Sequence, residues 1–367
     1  MSTKDTDLKI ALFCGGSGTR MWPMSRKNLP KQFQPLISNQ STFQMMINRL
    51  KSKFPMHNIF PVTVRDNVAW IVKLAPEIPL ENIIIEPEMR DTAAAVGLAA
   101  AVLDKKFNNP NVLALWSDHV VKNEKQFIKA IELAHHTAKE MNKFVEIGVR
   151  PTTASVALGY LKVGKMLKNS DGMAIFEFVS QIEKPSFAEA KKFVESWEYL
   201  WHIGYSIWSA KKMLAKLQDH FREEYEPLIK IQKAWGTPQQ EKTLQHQYPK
   251  IPKKSIDFAV NSHLTTADQV VISADLGWRD VGTWDELKEE MSEKPKDNIL
   301  QGNVIDLDLK DCLVYSTKSE KVIAAIGVEG LIIVDTEDAL LICPKERTQD
   351  VKKIIEELKK QDKENYL

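Results

Sequence analysis

Leu8-Lys9-Ile10-Ala11-Leu12-Phe13-Cys14-Gly15-Gly16-Ser17-Gly18-Thr19-Arg20 joins a short apolar run to a glycine-rich turn. The apolar run predicts a buried strand, and the glycines allow backbone N–H groups to approach an anion that a Cβ would keep at a distance. Arg20 and, further along, Lys31 add positive charge near this turn. The stretch therefore indicates a site for a ligand that carries phosphate groups.

Two common nucleotide-binding motifs do not fit this stretch. The dinucleotide pattern G-x-G-x-x-G fails because Met21 stands where its third glycine would be, and no G-x-x-x-x-G-K-[ST] element lies nearby. An ordinary strand-to-helix turn would also explain the glycines alone. It does not explain why Arg20, Pro30 and Lys31 accompany them.

Strand-length apolar runs alternate with helix-length segments along the first three hundred residues. The candidate strands after the first are 59–64, 82–85, 112–115, 144–149 and 175–182. Apolar residues at helical spacing lie between them, in Phe43-Met46-Ile47-Leu50, Ala94-Leu98-Ala99-Val102 and Phe127-Ile131-Leu133-Ala134. This alternation predicts an α/β fold with a Rossmann-like, mostly parallel sheet flanked by helices.

Candidate site residues stand where these strands end. Gly15, Glu86, Asp118 and Glu183 each follow or close a candidate strand, so we expect them to share one cleft. Asp118 could hold Mg²⁺, although an isolated aspartate in this position is more often a turn or helix-capping residue. Asp280, between two tryptophans, is a second candidate for the same metal.

Two further motifs combine acidic and basic residues. Glu183-Lys184-Pro185 could face a substrate hydroxyl and a phosphate, or could form an ordinary surface ion pair. Glu86, followed closely by Arg90, could accept hydrogen bonds from the N–H groups of a nucleobase. The histidines show no zinc-binding spacing, and no G-x-S-x-G element is present.

The spacing of apolar runs becomes shorter near Ile299. Short apolar runs at 304–309, 312–315, 322–326, 331–334 and 340–342 predict a small all-β solenoid or β-roll. An amphipathic helix is expected within 348–360, packed on this β module or on a second subunit. The predicted domains are therefore 1–295 and 296–367.

Composition limits the possible partners and compartment. The 367 residues carry a formal net charge of +1 without long blocks of one sign, which does not favour nucleic-acid binding. Three widely spaced cysteines indicate reduced thiols. Neither a signal-peptide pattern nor a membrane-length apolar stretch is found, so we expect no membrane association and a cytoplasmic location.

The combined motifs resemble those of sugar nucleotidyltransferases, specifically the mannose-1-phosphate guanylyltransferases. The resemblance covers the whole chain and rests on these motifs: Gly15-Gly16-Ser17-Gly18-Thr19-Arg20, Pro30-Lys31-Gln32-Phe33, Glu86-Pro87, Arg90-Asp91-Thr92-Ala93, Ser117-Asp118-His119, Glu183-Lys184-Pro185 and Asp280-Val281-Gly282-Thr283-Trp284. The segment 302–360 is similar to the family's C-terminal β-helical module. No isomerase-like domain follows it here, so a bifunctional form is not expected.

The resemblance implies the nucleotidyltransferase fold and a Mg²⁺-dependent reaction of GTP with mannose-1-phosphate that gives GDP-mannose, for polysaccharide biosynthesis, and pyrophosphate. It assigns catalysis to Arg20 and Lys31, and the metal to Asp118 and Asp280. The residues that it assigns to nucleotide binding are Gly15, Gly16, Ser17, Gly18, Thr19, Glu86 and Arg90. Those that it assigns to the sugar phosphate are Gly159, Glu183, Lys184, His202 and Gly204. A homodimer is the expected assembly.

Two departures from the family pattern fall in the sugar-binding segments. Trp201-His202-Ile203-Gly204 stands where the family usually has Trp-Asn-Ser-Gly, and Val156-Ala157-Leu158-Gly159-Tyr160 stands where Thr-Gly-Tyr-Gly-Tyr is common. The chain could therefore use a different sugar-1-phosphate, or could be a catalytically silent regulatory subunit that binds nucleotide sugar. An active enzyme is favoured because the charged candidates for phosphate and metal binding are all present.

Overall fold

A computed structural model of the chain describes residues 7–16, 18–318 and 320–367. The described strands are β1 Leu8–Phe13, β2 Ile59–Val64, β3 Ile84–Glu86, β4 Asn111–Trp116, β5 His119–Val121, β6 Phe144–Val149, β7 Gly159–Ser170, β8 Met173–Ile182, β9 Tyr199–Ser209, β10 Gln269–Ser273, β11 Trp278–Asp280, β12 Ile299–Gln301, β13 Val304–Leu307, β14 Leu313–Ser316, β15 Ile323–Ile326, β16 Leu331–Asp335 and β17 Leu340–Pro344. The described α-helices are α1 Thr42–Lys51, α2 Val68–Leu74, α3 Asp91–Phe107, α4 Glu124–Met141, α5 Phe187–Ser196, α6 Ala210–His220, α7 Arg222–Ala234, α8 Gln240–Gln247, α9 Ile256–Ala259, α10 Trp284–Met291 and α11 Val351–Lys360.

The chain divides into two compact units. The first contains the described residues up to Gly15, together with Ile47–Ser117 and Val121–Trp278. The second contains the described residues of Gly16–Met46, Asp118–Val120 and Arg279–Leu367. This division differs from a single cut at 295/296, because the glycine-rich loop and the strand-end segments cluster with the C-terminal module. The boundary read from the sequence stays a prediction.

The first unit is built on a nine-stranded sheet with the order β3-β2-β1-β4-β9-β6-β10-β8-β7. Strands β1 to β4 are parallel to one another, and β6 is parallel to β10. Strand β9 lies antiparallel between β4 and β6, and β8 is antiparallel to both β10 and β7. The α/β prediction is confirmed, with the refinement that the sheet is mixed because β8 and β9 run against the other strands.

Part of this sheet closes on itself. Strand β7 pairs with its hairpin partner β8 and also with β9, where Gly159 lies opposite His202. Because β9 pairs with β6, and β6 with β10, the strands β9, β6, β10, β8 and β7 form a continuous ring of pairings. The ring brings the first residues of β7 to the carboxyl end of β6, where Gly148 also lies opposite His202.

Apolar side chains explain the helices that cover the sheet. The alanine-rich helix α3 buries an unbroken run from Ala93 to Leu103, because small side chains allow it to pack closely on the sheet on one side and on α6 and α7 on the other. Gly97 marks the tightest approach, since a Cβ there would lie 2.4 Å from both Glu224 Oε1 and Leu228 Cδ1.

The second unit contains the β module. Strands β12, β14 and β16 are parallel neighbours, β17 adds an antiparallel edge, and β13 pairs in parallel with β15. Parallel strands that recur in two short sheets confirm the predicted β-helical module. Helix α11 packs on it through Val351 and Ile355, which are buried with Leu313, Ile332 and Trp284 in one core cluster. Within the described residues, no helix is both long and apolar enough to span a membrane.

Candidate active site

In the second unit, the side chain of Lys31 lies between two carboxylates. Lys31 opens a single 3-10 turn after Pro30, and only 9 % of the residue is exposed. Its Nζ lies 3.0 Å from Asp118 Oδ2 and 4.0 Å from Asp280 Oδ1. It also donates a hydrogen bond to the carbonyl oxygen of Val281 at 3.1 Å. Three distant segments of the sequence therefore meet at one ammonium group.

The two carboxylates determine the charge state of this cluster. Burial by itself would lower the pKa of Lys31, but the neighbouring charges of Asp118 and Asp280 outweigh burial and raise it. Burial would raise the pKa of Asp118, but Lys31 and His119 overcome this effect and lower it to about 2. Lys31 is therefore a cation and Asp118 an anion at neutral pH.

The same carboxylates suit a divalent metal. Mg²⁺ in phosphoryl-transfer sites is commonly bound by one or two carboxylates together with substrate phosphates, and it prefers hard oxygen ligands. Asp118 and Asp280 converge on one point and supply such oxygens. No group of three or more His, Cys, Asp or Glu side chains that could hold a metal occurs in the part of the chain that the structure describes. A metal held by these two carboxylates would complete its coordination with oxygens of water or of the substrate.

The glycine-rich loop lies beside Lys31. Gly18 has a φ of 56°, and a Cβ at this position would lie 2.6 Å from Ser25 Oγ and 3.1 Å from Lys31 Cγ. Gly18 precedes the 3-10 turn Thr19–Met21, and the predicted residue Ser17 lies outside the described residues. A larger residue at position 18 would clash with Ser25, press on the side chain of Lys31 and strain the left-handed backbone of the loop.

Arg20 projects from the same turn. Its Nη1 donates to Gln349 Oε1 at 3.2 Å, and its Nη2 lies 3.2 Å from the position that a Cβ on Gly282 would occupy. The second unit thus brings Arg20, Lys31, Asp118 and Asp280 together as predicted candidates. Gln349 has no motif that would have identified it in the sequence.

In the first unit, Glu86 closes β3 and is 6 % exposed. Burial raises its pKa to about 7, although Tyr248 Oη donates a hydrogen bond to Glu86 Oε2 at 2.5 Å, which acts in the opposite direction. Arg90 forms an ion pair with Glu88 at 2.5 Å and donates to the carbonyl oxygen of Ile251 at 3.4 Å. Glu86 is therefore a buried acid held by Tyr248, while the guanidinium of Arg90 is held beside the start of α3.

The predicted sugar-binding residues also meet in the first unit. A Cβ on Gly159 would lie 2.4 Å from Glu183 Oε2 and 3.2 Å from His202 Cβ, so only glycine leaves room for this contact. Lys184 Nζ lies 3.7 Å from Glu183 Oε1. Gly204 has a φ of 74°, and a Cβ on it would meet Trp116 Nε1 at 2.3 Å.

His202 contacts two acids that sequence reasoning missed. Its Nδ1 lies 2.9 Å from Glu146 Oε1, and its Nε2 lies 3.0 Å from Asp257 Oδ1. Burial would lower the pKa of His202, but these carboxylates raise it well above the ordinary value. Glu146 could have been noticed as a charged residue inside the apolar strand Phe144–Val149, whereas Asp257 has no comparable signal.

Comparisons with known proteins agree with this architecture. The sequence model of the nucleotidyl transferase family matches residues 10–297, and that of the MannoseP isomerase/GMP-like beta-helix domain matches residues 302–358. A mannose-1-phosphate guanylyltransferase, RfbM, of Salmonella typhimurium is 35% identical over 97% of this chain and 73% of its own length. The xanthan biosynthesis protein XanB of Xanthomonas campestris pv. campestris is 32% identical over 96% of this chain and 74% of its own length.

A solved structure from Thermus thermophilus, described as a mannose-1-phosphate geranyltransferase, superposes with a TM-score of 0.84. It is 28% identical in sequence, and the match covers 96% of this chain and 100% of that one. The family match and the relatives agree over both the sheet domain and the β module. The chain therefore belongs to the nucleotidyl transferase family, and it is a nucleotidyltransferase of the kind represented by the mannose-1-phosphate guanylyltransferases.

Proposed function

We propose that the protein transfers the guanylyl group of GTP to mannose-1-phosphate in a Mg²⁺-dependent reaction. A phosphate oxygen of the sugar phosphate attacks the α-phosphorus of GTP in line, the bond from that phosphorus to the bridging oxygen breaks, and pyrophosphate leaves. The products are GDP-mannose and pyrophosphate. The observation that carries the proposal is the position of the Lys31 ammonium between Asp118 and Asp280.

Arg20 and Lys31 are the proposed catalytic residues. Negative charge on the transferred and departing phosphates is greatest in the transition state, and fixed cations lower the barrier most where that charge develops. Lys31 is held by two carboxylates and a carbonyl, so it needs little reorganisation during the reaction. The backbone of the glycine-rich loop would bind the phosphates, and Glu86 and Arg90 would contribute to nucleotide recognition.

Asp118 and Asp280 are the proposed metal ligands. When bound, Mg²⁺ would neutralise phosphate charge and orient the triphosphate. The protein's own contribution is to place two carboxylates close together, beside the ammonium group of Lys31.

Glu183, Lys184 and the residues around His202 are the proposed site for the sugar phosphate. A second candidate is a nucleotidyltransferase for a different sugar-1-phosphate, because a histidine flanked by two carboxylates, and not a neutral amide, lies among the proposed sugar-binding residues. The proposed protein partner is a second copy of the chain, in a homodimer. Exposed apolar side chains on β13 and β15, namely Ile305, Leu307 and Ile326, support self-association, and light scattering would report the molar mass.

Pyrophosphate release by the purified protein tests the reaction. We expect release with GTP, mannose-1-phosphate and Mg²⁺, little release when ATP, UTP or CTP replaces GTP, and loss of release on addition of a chelator. Release with another sugar phosphate alone would support the second candidate. If every pair is silent while GDP-mannose still binds, the protein is a regulatory subunit and the proposed activity is wrong.

Substitution of Lys31 tests the site itself. Lys31→Gln is expected to lower kcat by roughly 100-fold or more while the KM for GTP changes only a few-fold, because its charge acts mainly in the transition state. Lys27→Gln is the matched control, since Lys27 is exposed in the same loop region. Equal losses in the two variants, or a rise in KM without a fall in kcat, would contradict the assigned role.

A further inference from the structure

Each ring nitrogen of His202 lies within 3.0 Å of a carboxylate oxygen. Nδ1 faces Glu146 Oε1 at 2.9 Å, and Nε2 faces Asp257 Oδ1 at 3.0 Å. Only 10 % of the His202 side chain is exposed, and 5 % of that of Glu146. The two carboxylates within 3.0 Å of the ring favour the imidazolium, which carries a proton on each nitrogen, although the Nδ1–Glu146 contact is an ion pair without hydrogen-bond geometry.

Charged groups from three parts of the fold lie around this ring. Glu146 belongs to β6, Asp257 to α9, and Glu183 with Lys184 follows β8. The three acids together carry up to three negative charges, against one positive charge on His202 and one on the more exposed Lys184. Without the imidazolium, the acids would repel one another inside a mostly buried pocket.

Two carboxylate oxygens beside His202 are available as hydrogen-bond acceptors. Asp257 Oδ1 receives Gln181 Nε2 at 2.9 Å and Asn261 Nδ2 at 3.0 Å in addition to His202. Among the described residues, no side chain or backbone group donates a hydrogen bond to Asp257 Oδ2 or to Glu183 Oε2. Glu183 Oε2 lies over Gly159, next to His202.

We propose that His202 is a positioning residue for sugar recognition, which holds Asp257 and Glu183 as hydrogen-bond acceptors for hydroxyl groups of the sugar phosphate and does not itself contact the sugar. The proposal rests on the proposed function, because the ligand is a sugar phosphate. Sugar hydroxyls are donors, and carboxylate oxygens with open lone pairs are strong acceptors for them. A neutral amide at position 202 could donate directly to a sugar, whereas both nitrogens of this ring face the carboxylates of Glu146 and Asp257.

The protonation state of His202 gives a readout that does not depend on turnover. In proton–carbon correlation spectra of the wild-type protein, the His202 ring resonance, assigned by its loss in His202→Asn, should keep the shift of an imidazolium from pH 6 to pH 8.5. The carboxylates that face it stabilise the charged form. A ring that titrates near the ordinary histidine pKa would overturn the proposal.

Kinetics test the link to the sugar. His202→Asn replaces the charged ring with a neutral amide, and it is expected to raise the KM for mannose-1-phosphate about tenfold or more, with a smaller fall in kcat and little change in the KM for GTP. The double variant Glu146→Gln/His202→Asn removes the acid left unpaired and should regain part of the lost affinity. His136→Asn is the matched control, because His136 pairs with Glu140 on the exposed face of α4.

The outcomes separate this inference from the proposed function. A KM for mannose-1-phosphate that stays the same or improves in His202→Asn would mean that the ring is not needed to hold the acceptors, and the inference would be wrong. Failure of the wild type to release pyrophosphate with any substrate pair would instead overturn the proposed function. In that event the affinity for GDP-mannose replaces the KM, and an unchanged affinity in His202→Asn overturns the inference as well.

Discussion

Glu224 is a buried acid whose carboxylate oxygens have no hydrogen-bond partner among the residues that the structure describes. The residue is fully buried, and its side chain packs against Leu228 and Gly97. Burial raises its pKa to about 8. The folded protein therefore keeps a proton on Glu224 at pH values where the unfolded chain, with an ordinary glutamate pKa, has already lost it.

This difference predicts a pH dependence of stability. Because the unfolded chain binds fewer protons between about pH 4.5 and pH 8, the contribution of Glu224 makes the free energy of unfolding fall as pH rises through that range, by up to about 1.4 kcal/mol per pH unit. Glu224→Gln cannot ionise, so the stability of this variant relative to the wild type should increase between pH 5 and pH 8 in urea denaturation. Glu223→Gln, at the exposed neighbouring position, should follow the wild type. Parallel curves for all three proteins would show that Glu224 does not carry the buried proton.

Site residues differ in how far the sequence could reveal them. Arg20, Lys31, Asp118 and Asp280 lie in short motifs, and the structure brings all four together. Their assigned chemistry stays a prediction. Asp257 could not have been found in this way, because only the folding of α9 against the β7–β8 hairpin and β9 brings it to His202. A short motif identifies site residues that lie together in one loop. Contacts between elements that are distant in the sequence depend on the topology of the fold.

At the scale of elements, the segment before α11 forms a hydrogen bond with a predicted site residue in addition to its packing contacts. The 3-10 segment Lys345–Asp350 carries Gln349, which accepts a hydrogen bond from Arg20 at 3.2 Å. Arg20 is a long side chain, and an acceptor at its tip restricts the positions that the guanidinium can adopt. We therefore expect the C-terminal module to influence catalysis through Arg20.

Gln349→Ala tests this influence. Because this hydrogen bond is exposed and water can take the place of Gln349, its loss is worth about 0.5–1 kcal/mol, so kcat should fall roughly two- to fivefold while the melting temperature changes little. Gln361→Ala is the control, because Gln361 bonds to Glu357 within the same C-terminal region and not to Arg20. Arg20 acts independently of the module if the two variants retain the same kcat in pyrophosphate-release assays.

Apolar periodicity predicts some of the elements, whereas the strands β7 and β10 have no predicted counterpart. The runs at 59–64 and 144–149 coincide with β2 and β6, and the amphipathic pattern at the C-terminus gives α11. Strand β9, Tyr199–Ser209, is not among the predicted strands, although its alternation of polar and apolar residues is typical of a half-buried strand. Its antiparallel insertion between β4 and β6 is what makes the sheet mixed.

At the scale of the whole molecule, each compact unit is built from segments that are not consecutive in the sequence. The shorter spacing of apolar runs after Ile299 indicates where the β module begins. It carries no information about which earlier segments fold with the module. Met21, Trp22 and Leu36 from the N-terminal loop share a core cluster with Val281, Trp284 and the strands of the module. Such long-range packing has no local sequence signal.

A fragment that ends at residue 295 would therefore be incomplete. Trp284 and Leu287 are fully buried in a cluster whose other members include Leu313, Ile332 and Val351, all of which this fragment lacks. Exposure of two or three such side chains costs about 3–9 kcal/mol, which is comparable to the net stability of a domain.

We accordingly expect the 1–295 fragment to bind a hydrophobic dye and to lose part of its near-ultraviolet circular dichroism, and the separate 296–367 fragment to lack a cooperative thermal transition. Mixing the two fragments should reduce dye binding, because each supplies apolar partners for the other, whereas an unrelated small β protein should have no effect. A 1–295 fragment that does not bind dye and unfolds cooperatively at the temperature of the full chain would show that the segments before residue 296 form a complete core. The boundary at 295/296 would then separate independently folding domains.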